Sequence, residues 1–209
     1  MNYENIQVNT QSSIRIEGSE TVYFDPIKIT EASHDADVIF ITHPHSDHFD
    51  PESIENIRKD GTVFIIPESM ASDMKKVAGE PMVRFLAPEE NLTVRDLKVT
   101  AVPAYNKLKP FHPKHNKWLG YLLEMDGTRY YVAGDTDSVK ELKSIQCDIA
   151  LVPIGGTYTM NAKEAAALIN IIEPAVVIPT HYGSLVGSPE DEKTFRKLLL
   201  PGIVPVLKL

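Results

Sequence analysis

The stretch Thr42-His43-Pro44-His45-Ser46-Asp47-His48-Phe49-Asp50 holds three of the chain's seven histidines. His43, His45, Asp47 and His48 fall within six positions of one another. Imidazole and carboxylate together suit zinc, manganese or iron. His43 and His45, two apart, can reach one ion from one side. Asp47 and His48, past the turn, can reach a second. A plain polar turn would not need such a concentration of histidine. The cluster follows Val38-Ile39-Phe40-Ile41, an apolar run that reads as a buried strand. It precedes Asp50-Pro51, an N-cap residue and a proline suited to the first helical position. The ligands are therefore expected on a strand-to-helix turn, where several side chains can converge.

His-x-His-x-Asp-His after a strand resembles the signature of the metallo-β-lactamase superfamily. Ala-Gly-Asp-Thr-Asp at 133–137, Pro-Ile-Gly-Gly-Thr-Tyr-Thr-Met at 153–160 and Thr-His-Tyr-Gly at 180–183 extend the resemblance along nearly the whole chain. Tyr105-Asn106, Phe111-His112-Pro113-Lys114 and Trp118-Leu119-Gly120-Tyr121 look most like the small single-domain branch that includes the UlaG-like lactonases. The resemblance implies an α/β (α+β) fold, a four-layer αββα sandwich of two similar halves, as one domain over residues 1–209. It implies a metal-dependent hydrolase with two divalent ions, Zn or Mn, with Fe as a further option. A metal-bound hydroxide would attack an ester, lactone or phosphoester. Asp135 then takes the place of a carboxylate bridging both ions, and His181 that of the late ligand. Asp25, closing a strand at Asp25-Pro26, inherits a supporting role through hydrogen bonds to the ligands. Asp47, Asp135 and His181 are the expected catalytic residues, Asp47 also as a proton shuttle.

One feature departs from the family. Many relatives carry a third histidine for the first ion just after the strand read here at Leu97–Val102, and Tyr105-Asn106 stands there instead. His112 is the expected substitute, stiffened by Pro110 and Pro113 on either side; His115 is the other candidate.

The elements that must position these residues are mostly strands. Ser13–Glu17 and Thr21–Phe24 flank a turn at Gly18-Ser19-Glu20, and Asp126-Gly127 marks a hairpin between Gly120–Met125 and Arg129–Ala133. Strands are also expected at Thr62–Ile66, Asn91–Val94, Leu97–Val102, Asp148–Pro153 and Ile203–Leu207. Helices are expected at Glu52–Arg58, Glu68–Ala78, Ser138–Lys143 with Asp137 as N-cap, 162–172 behind an Asn161/Glu164 capping box, and Glu190–Leu199. A repeat runs through this pattern. Val176-Val177-Ile178-Pro179-Thr180-His181 echoes Val38-Ile39-Phe40-Ile41-Thr42-His43, 138 positions later, and each histidine is followed eight residues on by a proline behind a capping residue. Two halves of strand, histidine turn and capped helix would place the metals in the cleft between them.

The loop from Pro103 to Trp118 is too long for a simple connection. It carries Lys107, Lys109, Lys114 and Lys117, with no acid between Asp96 and Glu124. In a chain of formal net charge −8 this is a local positive island. It points to a small anionic substrate, with Tyr105, Asn106, Lys107, Lys109, Lys114 and Tyr158 as contacts. The free amides at the start of the 162–172 helix are a further anion site in reach.

The overall acidity disfavours nucleic acid, so a nuclease is the weaker alternative, as is a metal-binding module without turnover. No run of apolar residues is long enough for a membrane span, and Met1-Asn2-Tyr3-Glu4-Asn5 does not read as a signal peptide. With Cys147 alone, no internal disulfide forms, and a cytoplasmic location is expected. A homo-oligomer remains compatible with all of this.

Overall fold

The computed structural model describes residues 3–209; Met1 and Asn2, which open the stretch read above for a leader, lie outside the described residues. Strands β1 (Ile6–Thr10), β2 (Ser13–Glu17), β3 (Thr21–Phe24), β4 (Ala36–Phe40), β5 (Arg58–Pro67) and β6 (Met82–Leu86) form one sheet in sequence order. Strands β7 (Asn91–Val94), β8 (Leu97–Pro103), β9 (Leu119–Met125), β10 (Thr128–Val132), β11 (Ile149–Pro153), β12 (Val176–Thr180) and β13 (Val204–Pro205) form the second, again in order. Each sheet begins antiparallel and turns parallel, at β3–β4 in the first and at β10–β11 in the second. The repeat read in the sequence is thus a repeat of topology.

Helices α1 (Pro51–Ile57), α2 (Ala162–Ile172) and α3 (Pro189–Leu198) cover the outer faces. In β4, Val38 and Phe40 face the other sheet while Ile39, and Ile41 just past the strand end, face α1, the period-two alternation of a strand buried on both sides. Ile54 and Ile57 of α1 pack onto that outer face. Leu168 and Ile169 of α2 and Phe195 of α3 pack onto Ala150, Val152 and Val177 of the second sheet. Between the sheets, Phe24 stacks on Phe40 with centroids 4.5 Å apart, and Tyr121 tilts against Phe40 at 5.0 Å. The layers run helix, sheet, sheet, helix. Among the described residues no helix is long and apolar enough to cross a membrane.

The caps form as their chemistry requires. Asp50 accepts from the Glu52 amide at the start of α1, and Asn161 accepts from Lys163 and Glu164 in a capping box. Those α2 amides are therefore taken by Asn161 rather than free for an anion. The Asp126-Gly127 hairpin has both central residues at positive φ, 53° and 74°.

Two expectations need correction, and one strand had not been expected. Glu68–Ala78 is not one helix but two short 3-10 turns, Glu68–Met70 and Asp73–Lys76. Met70, Met74 and Val77 are buried as their spacing requires, but Pro67 supplies no side-chain cap, and a lone apolar stripe does not nucleate a full helix. Ser138–Lys143 is likewise a 3-10 turn at Lys140–Ser144, entered through Val139, because the Asp137 carboxylate is engaged elsewhere. Strand β6 carried no alternation to find, since Met82 and Phe85 are both exposed.

At one end of the sandwich the two sheets are tied by hydrogen bonds. Tyr121 Oη donates to Ile41 O at 2.7 Å, and Leu119 N donates to Thr42 O at 3.1 Å. His181 N donates to Gln11 O, in the β1–β2 turn, at 3.0 Å. Gly120 stands between the two tying residues, Leu119 and Tyr121, and lies against the neighbouring strand β10 of its own sheet. A Cβ there would lie 2.5 Å from Ala133 O and 2.7 Å from Val132 O, both backbone atoms that cannot swing aside. Gly120→Ala should therefore cost about 1–3 kcal/mol by overpacking. Gly79→Ala, in open space but at φ 74°, should cost nearer 1 kcal/mol. Denaturant midpoints of the two variants measure the difference; equal losses would show that the backbone around Gly120 is not close-packed.

Candidate metal centre

The strand-end turns bring seven side chains to the tied end of the sandwich: His43, His45, Asp47 and His48 after β4, His112 from the 103–118 loop, Asp135 after β10, and His181 after β12. His43, His45 and His112 form one group whose nitrogens can share an ion, Asp47, His48 and His181 a second, and His43, His48 and Asp135 a third that links them. All but His45 and Asp47 are buried. His115, the other candidate, is exposed on the short turn after Pro113.

The separations fit metal ligation. His112 Nε2 lies 3.3 Å from His43 Nε2 and 3.4 Å from Asp135 Oδ2. His181 Nε2 lies 3.4 Å from both Asp135 Oδ2 and Asp47 Oδ2, and His48 Nε2 lies 3.2 Å from Asp135 Oδ1. Ligands about 2.1 Å from an ion at tetrahedral angles stand about 3.4 Å apart. His48 Nε2, His181 Nε2 and Asp135 Oδ1 are buried polar atoms with no hydrogen-bond partner. Such atoms are costly in a folded protein unless something else occupies them. The donor set and its orphaned atoms fit a divalent metal. Asp135 stands between the groups, with Oδ1 toward His48 and Oδ2 toward both His112 and His181.

Several ring orientations are fixed from behind. Asp25 is fully buried and held in a left-handed conformation at φ 45°. Its Oδ1 accepts from Thr42 N at 2.7 Å, and its Oδ2 accepts from Thr42 Oγ1 at 2.6 Å and faces His48 Nδ1 at 2.7 Å. Because Thr42 gives its hydroxyl proton to Asp25, it can only accept from His43 Nδ1, 2.9 Å away. Both rings thus carry a proton on Nδ1 and turn Nε2 into the cleft. His181 is itself left-handed, at φ 53°, and is held there by the Gln11 carbonyl. Strain of this kind persists where the surroundings over-determine it, and it collects at functional sites.

Burial and charge act in opposition across the cluster. Burial alone would push the Asp135 carboxyl up, but His181 and His48 outweigh it and hold it well below its ordinary range. Burial also opposes charge on His48, yet Asp135 and Asp25 raise its pKa well above the usual value. Asp25 is pushed up by burial against the pull of His48 and Thr42, so the His48–Asp25 contact retains its proton. His43 and His45 are lowered, chiefly by burial. His112 is brought down to about 4 by burial, although Asp135 pulls the other way.

The residues expected to meet substrate are distributed otherwise than the sequence order implied. Asn106 is buried, with its amide nitrogen on Asp137 and the Tyr158 carbonyl. Lys109 is bound to Asp137 at 2.8 Å and to Thr159 O. Lys114 and Tyr105 meet at Glu141. The island is thus largely offset in space by Asp137 and Glu141, acids that are distant in sequence. Lys107 stays exposed, and Tyr158 packs edge-on against Phe111 at 4.7 Å.

Three residues went unread. Trp118 lies over His43, His45 and His112, with ring centroids 4.9–5.4 Å away. Thr42 orients both His43 and Asp25; its one signal was its recurrence as Thr180. Gln11 is fully buried, with both side-chain amide atoms unpartnered and its backbone carbonyl on His181 N, and carried no signal beyond its place in a turn.

Comparison with known proteins now settles the family. The sequence profile of the Beta-lactamase superfamily domain matches residues 5–181. The chain belongs to that superfamily. A protein of Pyrococcus abyssi named as a metal-dependent hydrolase is 30% identical over 200 residues, covering 88% of this chain and 87% of its own length. A relative from Thermococcus onnurineus with the same description is 29% identical over 201 residues, covering 90% of this chain and 88% of its own. Among solved structures, one from Parabacteroides distasonis superposes with a TM-score of 0.81 at 30% identity, covering 98% of this chain and 92% of that one. Igni18 of Ignicoccus hospitalis, described as a novel metallo hydrolase, shares the fold with a TM-score of 0.76 at 22% identity, covering 97% and 94%.

Within this superfamily fold the pKa of His112 makes a measurable claim. The ordinary value is 6.5 and the folded, metal-free value about 4. Between those limits the unfolded chain binds the proton and the folded chain does not, so stability falls as pH drops through that window. His112→Gln removes this dependence. Relative to that variant, metal-free wild type should lose up to about 3 kcal/mol between pH 6.5 and 4. Parallel denaturation curves across the window would refute the burial of a neutral His112.

Proposed function

We propose that this chain is a metal-dependent hydrolase that binds two divalent ions, zinc or manganese, and cleaves an ester, lactone or phosphoester of a small anionic molecule. The carrying observation is the convergence of His, Asp and unpartnered Nε2 atoms at ligand-to-ligand distances on one rim of the sandwich. His43, His45 and His112 would hold the first ion, Asp47, His48 and His181 the second, and Asp135 both. Ions so held supply Lewis acidity and lower the pKa of a bound water to roughly 7.

The protein's own groups do the rest. Asp47 is the partly exposed carboxylate of the set; burial pushes its pKa up, but His181 and His48 bring it below the ordinary value. It is therefore ionised at neutral pH and placed at the cleft's open side to accept a proton from the attacking water or pass it to the leaving group. Two dications against two carboxylates leave the centre positive, which favours an anionic substrate. Lys107 adds exposed positive charge on the adjoining loop. Phe111 and Tyr158 offer an apolar wall next to His112 for the part of the substrate that does not react. The motif set supports the small, single-domain, UlaG-like branch. The lone, buried Cys147, its thiol pushed up to about 12 mainly by burial, suits a reducing cytoplasm.

Elemental analysis of protein reconstituted with zinc or manganese should find two ions per chain. Chelation should abolish hydrolysis in a screen of aryl esters, lactones and phosphodiesters, and readdition should restore it. Asp135→Ala should lose both ions more readily than Asp25→Ala, because its carboxylate faces both groups. Protein that holds no metal after reconstitution would overturn the proposal.

A further inference from the structure

The third histidine of the first group comes from a long loop and gets no help from Asp25. What holds it is a chain of hydrogen bonds running away from the cleft. Asn106 Nδ2 lies 3.1 Å from Asp137 Oδ1 and 2.8 Å from Tyr158 O. A carboxylate and a carbonyl only accept, so this end of the side chain must be the NH2 group. The opposite end, Oδ1, then faces His112 Nδ1 at 3.1 Å. An amide oxygen also only accepts, so the proton of the neutral ring must sit on Nδ1. The lone pair is left on Nε2, the atom that lies among His43 and Asp135.

Asp137 is in turn fixed. Its Oδ1 accepts from Lys109 Nζ at 2.8 Å and its Oδ2 from Lys107 N at 2.9 Å. Asp137 N donates to Tyr105 O at 3.0 Å, and Asn106 N donates to His112 O at 2.8 Å, closing the loop on itself. No bond in this chain depends on a metal.

We propose that Asn106 and Asp137 are positioning residues for His112: the Asp137 carboxylate orients the Asn106 amide, and the amide fixes the His112 tautomer so that Nε2 faces the metal cleft. Lys109 serves the same chain by holding Asp137. This assigns to Asn106 a role behind a ligand rather than against substrate, and to Asp137 a role other than capping. The use made of Nε2 rests on the two-ion reading above; the tautomer does not.

The test separates the two. Long-range 15N NMR of metal-free protein at pH 7.5, with His112 assigned by comparison with His112→Gln, reads the tautomer directly. Wild type should show the Nδ1–H form. Asn106→Leu, of similar size but without an acceptor, should shift the ring toward Nε2–H, the form neutral imidazole prefers in water. Competition titration with zinc should then show first-site affinity lowered tenfold or more, with the second site changed less than twofold. Asp137→Asn should do the same to a smaller degree. Asn106→Asp keeps an acceptor on Nδ1 while losing the donor to Asp137 and Tyr158 O, and should hold the Nδ1–H tautomer that Asn106→Leu loses. A tautomer that follows the acceptor in this way is not expected of a residue that merely closes a loop. Should Asn106→Leu fail to fold by circular dichroism, Asp137→Asn and Lys109→Met give the same readouts. An unshifted tautomer with affinity within twofold of wild type would overturn the proposal. A shifted tautomer in a protein that binds no zinc would uphold the positioning chain and refute the metal reading instead.

Discussion

The site depends first on one buried carboxylate. Asp25 has no water to solvate it and sits in a backbone conformation that most residues avoid. Its hydrogen bonds to Thr42 and His48 offset part of that cost, and they aim two rings at once. An imidazole can bind a metal only through a nitrogen without a proton, so what stands behind the ring decides which nitrogen is offered. Asp25 makes that choice for His48 directly and for His43 through the Thr42 hydroxyl. The constraint explains why a residue that need not touch an ion is as deeply buried as those placed to do so.

Aiming the rings is not enough, because the ligands come from two sheets. His43, His45, Asp47 and His48 belong to the first, Asp135 and His181 to the second. Packed sheets lie about 10 Å apart and are free to slide by small amounts unless fixed. Here Tyr121 reaches across to Ile41, Leu119 to Thr42 and His181 to Gln11, each at or next to a ligand turn. The spacing between cluster residues on different sheets is therefore held by bonds made at the site itself, and not by the hydrophobic core alone, which is tolerant of small shifts. The similar halves supply equivalent turns, and these ties set their spacing.

How much of this was legible follows from the range of each interaction. His43, His45, Asp47 and His48 share one turn, so their grouping was visible as a spacing, and the echo around Thr180-His181 carried the second turn. Buried parallel strands appeared as apolar runs and the caps as local dipeptides. Strand β6 was not visible, because its exposed Met82 and Phe85 leave no alternation. The 68–78 segment misled because its apolar spacing satisfies two tight turns as well as one helix. Gln11 and Trp118 act through tertiary contacts with residues 170 and about 70 positions away, and no local pattern encodes those.

The 103–118 loop shows the same limit with the sign reversed. A run of four lysines without an acid reads as free positive charge, yet Lys109 meets Asp137 and Lys114 meets Glu141 across gaps of about thirty residues. Two of the four are therefore spent on structure. The reason lies in where this chain carries its third histidine. A ligand on a strand-end turn inherits its rigidity from the sheet, as His43 and His181 do. A side chain on a long loop must have its rigidity built, because ordering it costs rotamer entropy that its contacts have to offset. The prolines at 110 and 113 restrict the backbone, the Lys109–Asp137–Asn106 chain holds one edge of the ring, and Trp118 covers its face. Lys109 and His112 thus belong to one feature: a histidine carried on a long loop is held by a buried polar network, and that network has a cation beside its carboxylate.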